Sequence, residues 1–340
     1  MTRSLFRLVA AFLVAVVAAP LASAAPEKPK IKLAVGGRAT LYYLPLALAE
    51  RLGYFRDEGL AVEVNDFPGG AKALQALIGG SADVVSGGYE HTIQMQAKGQ
   101  KLQAFVLQGH AALALGLVKG KFATYAGPRD LKGRKIGVTA PGSSTHMLLN
   151  HLLATAQLKP EDVSAIGVGT GATAVGAARA GSIDALANVE PAIVMLERSG
   201  DLKIVHETFT EVGSRAVFGG PMPSACLYAK TDFIRANPKT VQALTNAVVR
   251  ALRWLNKATV DDVLKVIPPE YTLGDRTAYV AALTRLKPVY SKDGLMSPVG
   301  VELSLRVVSA DDPSVRNARI SLPDTFTNAF AQKVPAGVDR

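Results

Sequence analysis

A 14-residue segment occurs twice in this chain, and it constrains the architecture more than any other feature. Residues 70–83 and residues 171–184 begin 101 positions apart and are identical at 7 of 14 positions. Upstream of the two copies, residues 32–40 and residues 135–143 each have the pattern of a short strand, a loop and a helix start. A long period that occurs only twice excludes a solenoid, whose units span about 20–50 residues. The repeat therefore predicts two similar lobes.

Strand and helix patterns alternate within each lobe. In the first lobe, short apolar runs predict strands at residues 31–35, 61–64 and 83–85, and apolar residues at helical spacing predict helices at residues 41–52 and 71–78. This alternation is typical of an open, mostly parallel sheet covered by helices. We predict an α/β fold with two lobes, each a mostly parallel sheet flanked by helices, and a ligand cleft between them.

Two segments are interpreted as connections between the lobes. A strand pattern at residues 101–108 ends in Gly109 and His110, and residues 216–221 lead through two glycines and a proline into a strand pattern at residues 225–229. The predicted first lobe is discontinuous. It comprises residues 28–109 and 221–335, and the second lobe comprises residues 110–220. Helices predicted at residues 238–257, 261–266, 276–286 and 298–308 are expected to pack on the first lobe.

The N-terminus has the pattern of a cleaved signal peptide, which we assign to residues 1–24. Arg3 and Arg7 precede 12 apolar residues, and Ala22-Ser23-Ala24 provides a cleavage site. A membrane span needs about 20 apolar residues, so this run is too short to be one. No cysteine follows the cleavage site, so we do not expect a lipoprotein. The mature chain is expected in the periplasm.

Charge and composition narrow the function classes. The full chain has a net charge of +10, and loss of Arg3 and Arg7 leaves 36 basic against 28 acidic residues, or +8. The basic residues are scattered and not interleaved with aromatic residues, so nucleic acid is not an expected partner. Cys226 is the only cysteine, which excludes an intrachain disulfide. No spacing of histidines or carboxylates resembles a metal site, and no cofactor is expected.

The loop at residues 139–146 has the sequence Thr-Ala-Pro-Gly-Ser-Ser-Thr-His and connects a predicted strand to a helix. Such a helix start can hold an anion through backbone N–H groups, although the same pattern also fits an ordinary serine cap. In open α/β sheets, ligands bind beyond the carboxyl ends of the strands. Six loops occupy that position, and facing lobes would bring all six to one cleft. They are residues 36–40, 67–70, 86–91, 139–146, 168–171 and 188–191.

The candidate ligand-binding residues lie on or beside these loops. Arg38 could pair with an acidic ligand or lie in solvent, and His146 could donate to the ligand or extend the helix cap. Glu90 and Glu190 could be acids favoured by helix dipoles, or they could bind the positive group of a ligand that carries both signs. His91 and His110 are expected to be structural. The candidate set is Gly37, Arg38, Ala39, Tyr42, Tyr43, Gly87, Gly88, Glu90, Gly142, Ser143, Ser144, Thr145, His146, Thr170 and Glu190.

Several motifs, taken in order, resemble periplasmic solute-binding proteins of the nitrate/sulfonate/taurine class, which serve ABC importers. After the leader they are the loop at residues 142–146, Ala-Gly-Ser-Ile-Asp-Ala at residues 180–185, Val-Glu-Pro at residues 189–191, and C-terminal pieces at residues 293–296, 301–303 and 326–330. The resemblance covers nearly the whole mature chain. It implies a type 2 binding protein with two lobes and two crossings, in which residues 142–146 hold the acidic group of the ligand.

One departure from the family pattern bears on the ligand. The family often has Trp-Asp-Pro where this chain has Val189-Glu190-Pro191, so an aromatic wall is missing and a sulfonate ligand is less strongly implied. Tyr42 and Tyr43 could supply stacking instead.

The expected function is a non-enzymatic, monomeric solute-binding protein that delivers a small organic anion or zwitterion to an ABC transporter permease by cleft closure. Sulfonates, taurine, nitrate, carboxylates, amino acids and pyrimidines are the candidate ligands. One alternative is a module that presents a solute to a sensor. A second is an enzyme similar to the pyrimidine synthases of thiamine biosynthesis, which rely on a Cys-rich motif that this chain lacks. Ser144 and His146 are only two positions apart, and the chain has no Gly-x-Ser-x-Gly elbow.

Overall fold

The computed structural model describes residues 25–336, so the predicted signal peptide lies outside the described residues. The strands are β1 (Lys30–Gly36), β2 (Ala61–Phe67), β3 (Val84–Gly88), β4 (Leu102–Leu107), β5 (Ala114–Val118), β6 (Lys135–Val138), β7 (Ser164–Gly167), β8 (Ala185–Asn188), β9 (Leu202–Glu207) and β10 (Ala225–Lys230).

The helices are α1 (Leu44–Arg51), α2 (Tyr54–Asp57), α3 (Gly70–Ile78), α4 (Glu90–Ala97), α5 (Ser144–Thr155), α6 (Gly171–Arg179), α7 (Ala192–Arg198), α8 (Glu211–Phe218), α9 (Thr231–Ala236), α10 (Pro238–Lys257), α11 (Val260–Val266), α12 (Arg276–Leu286), α13 (Pro298–Asp311) and α14 (Pro313–Arg316). Short 3-10 turns lie at Leu41–Tyr43, Pro128–Leu131, Pro160–Asp162, Pro269–Thr272, Lys287–Val289, Leu322–Asp324 and Ala331–Lys333.

The two halves of the repeat form two five-stranded sheets with the same topology. The first sheet has the order β2-β1-β3-β10-β4, and the second has the order β7-β6-β8-β5-β9. In each sheet the first three strands pair in parallel, and the fourth strand in the order is antiparallel to both of its neighbours. Four of five strands in each sheet therefore run in one direction, and the fifth makes the sheet mixed.

The sheets form because apolar strands are covered on both faces. On β1, Leu33 and Val35 belong to one buried cluster and Ala34 belongs to another, as expected for a strand between two layers of helices. Helix α10 shows the complementary pattern. Its apolar residues Val241, Leu244, Val248 and Leu252 recur at helical spacing and are fully buried. The helix predicted at residues 238–257 is thus confirmed, with Pro238 at its first position.

Two antiparallel segments join the sheets. The chain leaves β4 through Gly109 and His110 and returns to β10 through Met222 and Pro223. The segments are hydrogen-bonded from Ala111 N–H to the Met222 carbonyl (2.9 Å) and from Ser224 N–H to the Gly109 carbonyl (3.1 Å). The reversed strand of each sheet follows directly from one crossing, since β5 comes after the first and β10 after the second. The crossings thus lie side by side.

The C-terminal helices contact the helices that cover both sheets. Helix α10 packs on α1 and α2, as predicted for the first half of the molecule. Helix α12 packs on α7, and α13 packs on both α4 and α5, so the expectation that these two helices pack on the first lobe alone is wrong. The C-terminal part of the chain therefore spans the two halves. Within residues 25–336, no helix has the length and apolar character needed to cross a membrane.

Candidate functional site

The carboxyl ends of the parallel strands of the two sheets meet at one closed cleft. The Ser143 Oγ accepts a hydrogen bond from the Ala71 N–H across this cleft (2.9 Å), and the Ser144 Oγ donates one to Glu90 Oε1 (2.5 Å). A cavity of about 20 Å³ lies between the loops. This volume is close to that of one water molecule. The cavity is lined by Gly36, Tyr42, Tyr43, Gly70, Leu113, Thr139, Ser143, Ser144, Thr145 and Val189.

The loop at residues 139–146 is held by its own side chains. Thr145 Oγ1 accepts from the Thr139 N–H (3.0 Å), and His146 Nδ1 accepts from the Gly142 N–H (2.9 Å). Gly142 has a φ of 86°, which favours glycine. Because Nδ1 is an acceptor here, His146 extends the helix cap, and burial lowers its pKa. Ser143 is the N-cap residue of α5, but its hydroxyl accepts from the other half of the molecule instead.

Glu90 is fully buried at the start of α4. Its Oε1 accepts from Ser144, and its Oε2 has no hydrogen-bond partner among the described residues. The carboxylate folds over Gly88, where an added Cβ would lie 2.1 Å from Oε1. Burial, with a smaller contribution from the Glu90 charge, raises the pKa of Tyr42 and of Cys226. The Glu90 carboxylate therefore lies in a part of the cleft wall that consists mostly of apolar and tyrosine side chains.

Tyr42 and Tyr43 are buried beside this wall. Their rings meet edge to face with centroids 4.9 Å apart, and the Tyr42 hydroxyl is hydrogen-bonded to Ser224. Gly87 is packed under the Tyr228 ring, where a Cβ would lie 2.8 Å from Cε1. Both tyrosines line the cavity, and Gly87 does not.

The first loop, residues 36–40, has a different role from its counterpart at residues 139–146. The Asp66 Oδ1 accepts from the N–H groups of Gly37 (2.9 Å) and Arg38 (2.8 Å). The Arg38 guanidinium pairs with Glu50 at 2.5 Å. The Asp66 carboxylate thus occupies the place that an anionic ligand would take in this loop. The Arg38 side chain is paired with Glu50 of α1.

Two other candidates beside the first loop lie in different environments. Ala39 is half-buried and packs against the main core. Thr170, the residue before α6, faces the first loop across the cleft, since a Cβ at Gly37 would lie 2.8 Å from its Cγ2.

Glu190 is buried, but its carboxylate is already partnered. It forms an ion pair with Arg285 of α12, and it accepts from the Val194 N–H (2.8 Å). Burial raises the pKa of Glu190, and the Arg285 charge opposes that shift. Only the backbone of Glu190 reaches toward the first half, where its carbonyl accepts from the Leu41 N–H (3.1 Å). The two acids therefore differ: Glu190 is paired with a cation of the protein, Arg285, whereas one oxygen of Glu90 has no partner among the described residues.

Three residues of the cleft lie outside the candidate set. The contacts of His91 fit its expected structural role, since its ring nitrogens lie 3.0 Å from the Tyr228 hydroxyl and 3.3 Å from the Gly142 carbonyl. His91 therefore connects the two halves at the cleft. Ser224 and Arg285 gave no local signal, because their partners lie 182 and 95 residues away. Among residues 25–336, no group of three or more His, Cys, Asp or Glu side chains is placed to hold a metal ion.

Comparison with known proteins gives a family and relatives. The family model described as NMT1/THI5 like matches residues 40–258. YtlA of Bacillus subtilis (strain 168) is 26% identical over 271 residues, which cover 78% of each chain. A 4-amino-5-hydroxymethyl-2-methylpyrimidine phosphate synthase of Schizosaccharomyces pombe is 29% identical over 177 residues, which cover 52% of this chain and 45% of that one.

Solved structures match most of the chain. A Bordetella bronchiseptica RB50 protein has a TM-score of 0.88 at 50% identity and covers 91% of this chain and 98% of its own. The alkanesulfonate-binding protein SsuA from Xanthomonas axonopodis pv. citri, bound to MOPS, has a TM-score of 0.69 at 19% identity, covering 89% and 99%. The nitrate-binding protein NrtA from Synechocystis PCC 6803 has a TM-score of 0.65 at 16% identity, covering 91% and 89%. The last two likenesses concern the fold alone, and they confirm the predicted α/β periplasmic binding protein fold.

Proposed function

The chain belongs to the NMT1/THI5-like family, and we propose that it is a solute-binding protein of an ABC-type importer that closes its two lobes on a small ligand. One observation carries this proposal. Loops from two sheets of equal topology meet across a single cleft, and the only covalent connections between the sheets' strands are two adjacent crossings within the described residues. Such an arrangement lets two rigid bodies move about a hinge.

The ligand we propose is a small organic anion or zwitterion, such as a sulfonate, a taurine-like compound or a carboxylate. None of the described residues that line the cavity is basic. The acidic group would instead be held by the first-turn N–H groups of Ser144 and Thr145, which have no intrahelical acceptors, and by nearby hydroxyls. Helix α5 has 12 residues, and its positive N-terminal end points at the cleft. Gly142, Ser143 and His146 shape this helix start.

A ligand closes the lobes when it binds the closed state more tightly than the open state. The cavity of about 20 Å³ is too small for an organic ligand, so the lobes must separate before one enters. A ligand that binds the α5 end first and then replaces the bond between Ser144 and Glu90 favours a closed state around itself. The equilibrium moves only as far as the ligand prefers the closed state over the open one.

We propose that the protein is not an enzyme, although the family includes synthases. The groups that resemble a nucleophile and base are engaged elsewhere. Ser144 donates to the Glu90 carboxylate, His146 accepts from a backbone N–H, and both His91 nitrogens contact other groups. A Ser–His nucleophile pair therefore has no counterpart in this geometry.

The cellular setting is part of the proposal. We propose a monomer that is exported through cleavage after Ala24 and that docks on a membrane permease. Mass spectrometry of the exported protein should give an N-terminus at Ala25. A co-purifying histidine kinase in place of a permease and ATPase would favour the sensor alternative.

The experiment that tests the proposal is a thermal-shift screen followed by small-angle X-ray scattering. The panel contains sulfonates, nitrate, amino acids, aromatic acids and pyrimidines. We expect at least one compound to raise the melting temperature with saturable binding and to reduce the radius of gyration. Binding without compaction would contradict closure, and chemical turnover of the bound compound would contradict a pure binding role.

A further inference from the structure

Glu90 has an unsatisfied acceptor beside the closed cleft, directly behind Ser144, which lines the cavity and donates to its other oxygen. The residue is 0% exposed, and its Oε2 has no hydrogen-bond partner among the described residues. None of the ion pairs recorded within residues 25–336 involves Glu90. Buried polar atoms in proteins are nearly always hydrogen-bonded, so each exception requires an explanation. An ordered water or a ligand can supply the missing partner. Ligand clefts contain a small number of placed polar groups that fix the orientation of the ligand.

Three donor groups near Glu90 are already engaged elsewhere. The Ser144 hydroxyl is already used on Oε1, and the Tyr42 hydroxyl is paired with Ser224. His91 lies between the Tyr228 hydroxyl and the Gly142 carbonyl. Using any of these three groups to satisfy Oε2 would break an existing bond. A donor on the ligand would satisfy Oε2 and leave these bonds intact.

Gly88 fixes the position of this acceptor. A Cβ at Gly88 would lie 2.1 Å from Oε1 and 2.5 Å from Oε2, so the carboxylate is folded onto bare backbone. The glycine gives the carboxylate a defined place at the end of β3. A fixed acceptor of this kind discriminates between ligands better than a mobile one, because little side-chain entropy is lost on binding.

We propose that Glu90 is the specificity-determining residue of the cleft and that the ligand carries an amine or a similar nitrogen with N–H donors. This inference rests on the proposed function and narrows its ligand class from anions in general to zwitterions. Ser144 belongs both to the contact with Glu90 and to the start of α5. The donor nitrogen and the acidic group are therefore close together in the ligand, as in a short amino acid or amino-sulfonate. An anion without an N–H donor could not hydrogen-bond to the Glu90 carboxylate, and its negative charge would be repelled by it, which disfavours that ligand.

Matched ligand pairs test the inference by calorimetric titration. The pairs are taurine with ethanesulfonate, β-alanine with propionate, and glycine with acetate. We expect the amino member of at least one pair to bind at least about 10-fold more tightly, the size of one hydrogen bond to a charged group. Glu90→Gln should reduce this preference to within about threefold, because the amide presents a neutral oxygen.

Two further measurements separate recognition from structure. The melting temperature of Glu90→Gln without ligand should equal or exceed that of the wild type, since the variant removes a buried charge that no cation compensates. Ser144→Ala keeps the carboxylate and should keep the preference for the amino member, even where overall affinity falls. A lower melting temperature for Glu90→Gln, together with an unchanged preference, would overturn the inference.

The failures of the two proposals are distinguishable. If propionate, acetate and ethanesulfonate bind as tightly as their amino partners and still compact the protein, the donor nitrogen is wrong and closure on an anion stands. If no member of any pair binds and no compound of the wider panel compacts the protein, both proposals are rejected.

Discussion

The backbone N–H of Ala71, in the first turn of α3, donates a hydrogen bond of 2.9 Å to the Oγ of Ser143, the residue that precedes α5. The two residues lie 72 positions apart, at the starts of helices that follow strands of the two different sheets. Thr40 occupies the position that corresponds to Ser143 in the sequence repeat, but its hydroxyl donates to the carbonyl of Gly37 in its own loop. The contact is therefore made by one copy of the repeat only.

Ser143→Ala should weaken closure without unfolding either half. The variant leaves the Ala71 N–H buried and unpaired only when the lobes are together, which costs the closed state about 1–3 kcal/mol. We expect ligand affinity to fall by about 5- to 150-fold. Calorimetric titration with the ligand found by thermal shift measures this loss. Ser182→Ala, at an exposed serine, is the matched control and should leave affinity unchanged. Equal affinities for the two variants would remove Ser143 from the closure contacts.

Arg285→Ala should destabilise the protein strongly, because it leaves the Glu190 carboxylate buried without its cation. Breaking a buried ion pair from one side costs about 3–5 kcal/mol. The loss should be smaller at low pH, because burial raises the pKa of Glu190 and protonation removes the uncompensated charge as pH falls. Urea unfolding at pH 5 and pH 8 checks both statements. Arg276→Ala on the same helix removes an exposed pair with Asp261 and should cost no more than about 1 kcal/mol.

The double variant Arg285→Ala with Glu190→Gln provides the counter-test. It should recover much of the lost stability and lose the pH dependence. A double variant as unstable and as pH-dependent as Arg285→Ala would show that packing of Arg285 over Phe209, whose ring centroid lies 4.4 Å from the guanidinium carbon, matters more than charge.

Local patterns predicted the elements well, because strand and helix periods are properties of neighbouring residues. The helices predicted at residues 238–257 and 276–286 coincide with α10 and α12, and the loop at residues 139–146 does run from a strand into a helix start. The repeat also predicted two halves of one topology. These features need no knowledge of distant contacts.

Side-chain partners could not be predicted in the same way. Arg38 could face a ligand only if it were not paired with Glu50, which lies at the far end of α1. Glu190 likewise is paired with Arg285, which lies 95 positions later in the sequence. The reversal of one strand in each sheet depends on where the crossings insert β5 and β10. The sequence marks Glu90 only as an acid at a strand exit. Its complete burial and its unpaired oxygen depend on the tertiary structure, which no local sequence pattern encodes.

Asp311→Asn should stabilise the protein at alkaline pH. Burial raises the pKa of Asp311 to about 7 from its ordinary 3.8, and its Oδ1 has no hydrogen-bond partner among the described residues. Between these values the folded protein binds more protons than the unfolded chain, so this group makes stability fall as pH rises from about 4 to about 7. Urea unfolding at pH 4.5, 6 and 8 should show an advantage of the variant that grows with pH.

A second titrating group lies near Asp311. His146 lines the same cavity and is present in both proteins, so it enters the difference only through its coupling to the Asp311 charge. Asp232→Asn, at a side chain that is 96% exposed, is the control and should show no pH-dependent advantage. A constant difference between Asp311→Asn and wild type across the three pH values would contradict the assignment.

Gly88→Ala should abolish ligand binding more completely than it destabilises the fold. Its φ is not in the left-handed region, so the backbone accepts alanine, but the new Cβ would lie 2.1 Å from Glu90 Oε1 and must displace the carboxylate. Gly176→Ala is the matched control: it lies within α6, a Cβ there meets nothing within 4 Å, and alanine should raise helix stability by up to about 1 kcal/mol. Thermal melting and titration with the amino ligand separate the two effects. Because Gly88→Ala leaves every cleft side chain chemically intact, a loss of binding in this variant would arise from the position of Glu90 alone, whereas retained affinity would mean that the ligand does not contact this carboxylate.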